Sequence, residues 1–108
     1  MKLVLLCPFD PVTKKEIEYA KKVLKESKST EIYLMPWGKG ICTLQERKEI
    51  LKVTLQSYKK LRVCDAIEKE DQVVCFEEAE KSEEKVHHGD FTELEEKTRK
   101  YVCEKGYY

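Results

Sequence analysis

Glycine and proline are scarce in this 108-residue chain, at four and three copies. That excludes collagen-like, proline-rich and flexible linker architectures. No apolar run approaches membrane-spanning length, so no membrane partner is expected. The apolar run Leu3–Cys7 is too short for a signal-peptide core followed by a cleavage site. The cysteines Cys7, Cys42, Cys64, Cys75 and Cys103 are odd in number and include no CxxC pair. Reduced thiols in a cytoplasmic protein are the expectation. Cys7, Cys64 and Cys75 fall in apolar, strand-like runs, where Cys serves as a small hydrophobe. Net charge is also lacking: Lys+Arg and Asp+Glu both number 21. A nucleic-acid binder shows a basic excess, and none exists here. No metal site is expected either, because His87 and His88 would point about 100° apart on a helix. They read as part of a solvated loop.

What the chain does have is a 41% hydrophobic fraction beside 39% charged residues. This is enough for one modest core under a densely ionic surface, and residues 1–108 read as one domain. The charge is unevenly placed. Met1–Lys60 leans basic, whereas Asp65–Glu96 carries thirteen acidic residues against three basic ones. Such a stretch repels phosphates, and Asp71–Asp90 within it reads first as a solvated face, second as a recognition surface for a basic partner.

The pattern alternates between strands and helices. Lys2–Cys7 predicts a strand buried on both faces, the centre of a parallel sheet. Pro8–Pro11 predicts a rigid loop. Thr13–Lys25 predicts an amphipathic helix with Ile17, Ala20, Val23 and Leu24 on one face. Glu31–Met35 predicts a second strand, and Thr43–Tyr58 a second helix with Leu44, Leu51 and Leu55 on one stripe beside Ile50 and Thr54. Leu61–Ile67 predicts a third strand and Val73–Phe76 a fourth. Glu77–Lys85 is too polar to place. Thr92–Lys105 predicts a last helix with Leu94, Thr98, Tyr101 and Val102 inward and Gly106 at its C-cap. Each predicted helix opens with Thr-x-x-Glu (Thr13/Glu16, Thr43/Glu46, Thr92/Glu95), the capping box. The alternation implies an α/β fold with parallel strands joined by right-handed crossovers.

The stretch K-L-V-L-L-C-P-F-D-P-V-T-K-K-E-I resembles the opening of nicotinate-nucleotide adenylyltransferases, where the first strand runs into G-x-F-D-P-V-H-x-G-H. Phe9, Asp10, Pro11 and Val12 match. Thr13 matches the broader superfamily pattern (H/T)-x-G-H, while Lys15 and Glu16 replace its Gly and second His. Ile32–Pro36 resembles the second strand, and Glu46, Arg47 and Leu51 the E-R-x-x-M-L helix. Tyr101, Val102, Gly106, Tyr107 and Tyr108 resemble the closing Y-[IV]-x-x-x-G-L-Y. Ser82–Gly89 falls where that family carries its I-S-S-T-x-x-R phosphate motif, without the Arg. Family members are roughly twice this long, and the likeness covers both ends and skips the middle.

The resemblance implies a three-layer Rossmann-like nucleotidyltransferase fold, shortened, with a short, mostly parallel sheet. It implies a role in NAD biosynthesis and a nucleotide ligand, with ATP and Mg as cofactor if adenylyl transfer survives. It places Phe9, Asp10, Thr13, Lys14, Lys15 and Trp37 at the nucleotide, with Thr13 and Glu16 at the catalytic motif positions. Glu16 reverses the sign of a transition-state contact, which at a few ångströms costs on the order of several kcal/mol. Lys14 and Lys15 could offset part of that, or be solvated lysines. A side chain at Lys15 also crowds a close backbone approach. Trp37 reads equally as a base-stacking aromatic and as a surface anchor. Asp10 reads as a ligand contact or as a loop acid fixing its own turn. Cys7 sits where the family has Gly and reads as an inert packed thiol. The expected function is therefore a catalytically degenerate nucleotidyltransferase-like protein with at most weak nucleotide binding. The alternative is a non-catalytic interaction or regulatory module that oligomerises through an exposed sheet edge.

Overall fold

In the computed structural model, which describes residues 1–108, the elements run β1 (Leu3–Cys7), α1 (Lys14–Ser27), β2 (Ile32–Pro36), α2 (Leu44–Leu55), β3 (Leu61–Val63), β4 (Gln72–Cys75), α3 (Ala79–His87), a 3-10 turn (Phe91–Glu93) and α4 (Glu96–Lys105). The four strands form one all-parallel sheet in the order β3-β2-β1-β4. This is a Rossmann-like three-layer α/β fold. Flanked on both sides, β1 is the most apolar strand, and Val4 and Leu5 have no exposed surface. The chain steps from β1 to β2 to β3 on one flank and returns to add β4 on the other. The order thus reverses at β1, and a crevice opens at the carboxyl ends of β1 and β4.

Two capping boxes start the first helices. At α1, Glu16 Oε1 accepts the Thr13 N–H at 2.8 Å and Thr13 Oγ1 accepts the Glu16 N–H at 3.4 Å. At α2, Thr43 and Glu46 repeat this at 2.8 and 3.1 Å. Each box satisfies two N–H groups that a helix start leaves free. The inward stripe of α1 is Ile17, Ala20 and Leu24, and that of α2 is Ile50, Leu51, Thr54 and Leu55.

The structure corrects several expectations. Thr92 and Glu95 form no capping box: Asp90 Oδ1 accepts both the Thr92 N–H and its hydroxyl, so a 3-10 turn forms and α4 begins only at Glu96. Thr98 and Val102 still face inward, as does Leu94 just before the helix. Leu44, the first residue of α2, is exposed. β3 ends at Val63, where the chain leaves the ladder to cross to the far flank. Cys75 is exposed because β4 is an edge strand. The polar stretch after β4 is helix α3, and His87 lies at its last turn, not in a solvated loop.

Candidate functional site

The crevice at the sheet's reversal point is a cleft of about 630 Å³ lined by Pro8, Asp10, Gly40, Glu83 and His87, with Lys39, Ile41, Glu80 and Glu84 at its margin. Its walls come from the β1–α1 loop, the β2–α2 loop and α3. Three buried polar groups hold these walls together.

Asp10 is one. Its Oδ2 accepts the Ile41 N–H at 2.7 Å and its Oδ1 the Cys42 N–H at 3.2 Å. The Tyr108 hydroxyl donates to Oδ1 as well. A carboxylate in the loop after β1 thus anchors the loop that follows β2, and Tyr108 closes over it. Gly40 is needed here, because a Cβ would fall 2.8 Å from Asp10 Cγ. Arg47 is the second. Only 2% exposed, it projects from the first turns of α2 and donates to the carbonyls of Pro8 (2.9 Å), Trp37 (3.2 Å) and Gly38 (2.6 Å). Its planar fork ties the same two loops from the other side.

The third is a carboxyl pair. Glu16 has no exposed surface and Glu83 only 3%. Glu83 Oε2 accepts the Phe9 N–H at 3.1 Å. The Thr13 hydroxyl lies 2.8 Å from Ser82 Oγ, joining the start of α1 to α3. Glu16 Oε1 is occupied by Thr13, whereas Oε2 is buried without a donor. Burial, together with the facing Glu83 carboxyl, raises the Glu16 pKa well above the ordinary carboxyl range. A proton on Glu16 resolves both facts: Oε2 becomes the donor of a hydrogen bond to Glu83, and one negative charge is shared between the two. Glu83 is itself raised, again chiefly by burial, while the bond from Glu16 and the Phe9 and Asp10 N–H groups favour its ionised form. The bond between the two carboxyls thus favours the proton on Glu16.

His87 completes the wall. Its Nε2 meets the Asp10 carbonyl oxygen, which requires an N–H at that nitrogen, and its ring stacks on Tyr108 with centroids 5.6 Å apart. The Cys7 thiol, buried below, is pushed far up by burial and stays unreactive.

The residues expected at a nucleotide are dispersed. Phe9 is fully buried in the core, with its backbone in the left-handed region at φ 49°. That conformation costs a non-glycine residue about 1–3 kcal/mol, and the bond to Glu83 helps to hold it. Thr13 is a buried cap. Lys14 and Lys15 are exposed and outside the cleft lining; Lys14 borders a separate shallow depression with Asp90 and Arg99. Trp37 is 56% exposed and contributes its carbonyl, not its ring, to the loop anchor. Asp10 alone lines the cleft, and it fixes a neighbouring loop, not its own turn. Glu83 and the anchoring role of Arg47 escape the sequence reading, which weighs Ser82 only as a remnant of a phosphate motif and His87 only as a metal ligand, although Ala79, Ser82 and Val86 carry the i, i+3, i+7 spacing of a buried helix face.

The chain matches no protein-family model and no curated protein sequence.

The residues present do not fit the triphosphate of ATP with Mg. The N–H groups of Phe9 and Thr13, which a phosphate would use, already serve carboxyl oxygens. Asp10, Glu80, Glu83 and Glu84 make the surrounding wall acidic.

Proposed function

We propose that this chain is a nucleotidyltransferase-like domain, similar in plan to nicotinate-nucleotide adenylyltransferase, that carries out no adenylyl transfer and binds nucleotide at most weakly. The observation that carries this reading is the Glu16–Glu83 pair. It sits across the start of α1, where a helix N-terminus would otherwise present free N–H groups to a phosphate. The pair fills that place with the protein's own oxygens. Asp10, Arg47 and Tyr108 then serve to hold the loops around the cleft, not to bind a substrate.

The test is thermal unfolding with ATP–Mg, nicotinate mononucleotide and their dinucleotide product, alongside a pyrophosphate-release assay. No midpoint shift and no pyrophosphate are expected. A ligand at a hundred times its dissociation constant adds about 2.7 kcal/mol, several degrees for a domain of this size. A shift of that size, or pyrophosphate released in proportion to enzyme, would refute the reading.

A further inference from the structure

A feature that the fold leaves unpartnered, apart from the cleft, is the outer edge of β4. β4 ends the sheet and pairs with β1 alone. The Gln72 N–H donates to the Lys2 carbonyl at 2.8 Å, so Gln72 and Val74 turn their peptide groups toward β1. By the alternation of a strand, Val73 and Cys75 turn theirs away from the sheet. The Cys75 carbonyl receives the Tyr19 hydroxyl at 3.3 Å. The N–H and C=O of Val73 and the N–H of Cys75 remain directed outward.

The side chains there are apolar. Val73 is 40% exposed. A groove of about 290 Å³ at the end of β4 is lined by Tyr19, Cys75, Phe76, Glu77 and Glu78. An unpaired edge of this kind is a template for another strand.

Charge selects the occupant. Between Asp65 and Glu80 the single basic residue is Lys69. Asp65 and Asp71 are paired with Lys48 and Lys2, whereas Glu68, Glu70, Glu77 and Glu78 are exposed and in no ion pair. These acids flank the apolar strand on both sides. A second copy docked antiparallel about Val73 would set Glu68 against the partner's Glu78, and like charges there oppose pairing. Basic residues alternating with apolar ones would meet both features of the edge at once. We propose that the β4 edge docks an extended segment of another protein, apolar on the side toward Val73 and rich in Lys or Arg, as a fifth strand.

The proposal does not depend on the state of the nucleotide site. Its test is a ¹H–¹⁵N titration of the whole chain with a Lys-Val-Lys-Val-Lys-Val-Lys peptide, with the Glu-for-Lys peptide as control. Saturable shifts centred on the Val73 and Cys75 amides are expected, weakening as salt rises, with the acidic control silent. Val73→Pro removes an outward N–H without touching the β1 ladder, a substitution edge strands accept. It should keep the wild-type spectrum elsewhere and weaken binding about tenfold, as loss of main-chain bonds does. Absence of binding, shifts centred on the cleft or α4, or a V73P variant that binds unchanged would each overturn the proposal. So would a concentration-dependent dimer, seen by sedimentation, that Val73→Pro abolishes, since a second copy would then own the edge.

Discussion

Glu16→Gln tests the proton that the cleft is inferred to hold. An amide has nearly the shape of a protonated carboxyl. Its oxygen can accept the Thr13 N–H as Glu16 Oε1 does, and its NH₂ can donate to Glu83 where the Glu16 proton does. Folding to the native state should therefore be little affected at pH 5. The wild type differs in its response to pH. The folded pKa of Glu16 lies above its unfolded value near 4.5, so the native state holds more protons than the unfolded chain once pH exceeds that value. Stability from this group is complete below about pH 4.5 and falls as pH rises through the window up to the native pKa. The slope approaches 1.4 kcal/mol per pH unit for one proton. The wild type should therefore lose stability relative to the variant as pH rises above about 4.5, and the loss should appear as a falling midpoint. Glu83 remains in both proteins but is coupled to Glu16, so the difference between the two profiles reports the pair. The assay is urea unfolding of wild type and variant at half-unit pH steps. Parallel profiles across that window would refute the shared proton, as would a variant already destabilised by several kcal/mol at pH 5.

Arg47→Met keeps most of the side-chain volume but strips the carbonyls of Pro8, Trp37 and Gly38 of their donor. It should cost about 3 kcal/mol or more in denaturant unfolding, with Arg47→Lys in between because an ammonium lacks the planar fork. Gly40→Ala drives a methyl into Asp10 and should cost about 1–3 kcal/mol by the same measurement. Tyr108→Phe removes the hydroxyl bonded to Asp10 and should lower stability by about 1–3 kcal/mol while leaving the far-ultraviolet circular dichroism of the fold unchanged.

The fold was legible where its signals are local. Thr13/Glu16 and Thr43/Glu46 are complete within four residues, and both helices start as those boxes require. Apolar runs sufficed for β1 and β2, which the sheet buries. Thr92/Glu95 carries the same signature but fails, because Asp90 competes for Thr92 from two residues away. The fourth strand was legible in place but not in exposure: nothing within Gln72–Cys75 says that no strand lies beyond it. Helix α3 was hidden because Glu and Lys fill the solvated positions between Ala79, Ser82 and Val86.

The site was legible in one residue and obscured in its physics. From the sequence, Glu16 is a sign reversal: a carboxylate repelling phosphate from the place of an imidazole. In the folded chain it is a buried acid facing Glu83, from a helix near the other end of the sequence, and under the proposed function the two would exclude a phosphate by filling its place. These mechanisms part on acidification. A purely electrostatic block weakens as carboxylates are neutralised, so phosphate affinity should rise at low pH. A block by occupancy persists, because protonating the second carboxyl leaves the Phe9 and Thr13 N–H groups still covered by oxygen atoms. The geometry of Thr13, Glu16 and Glu83 favours the second: neither carboxyl can turn away without abandoning a buried N–H, and a buried N–H left unpaired costs about 1–3 kcal/mol.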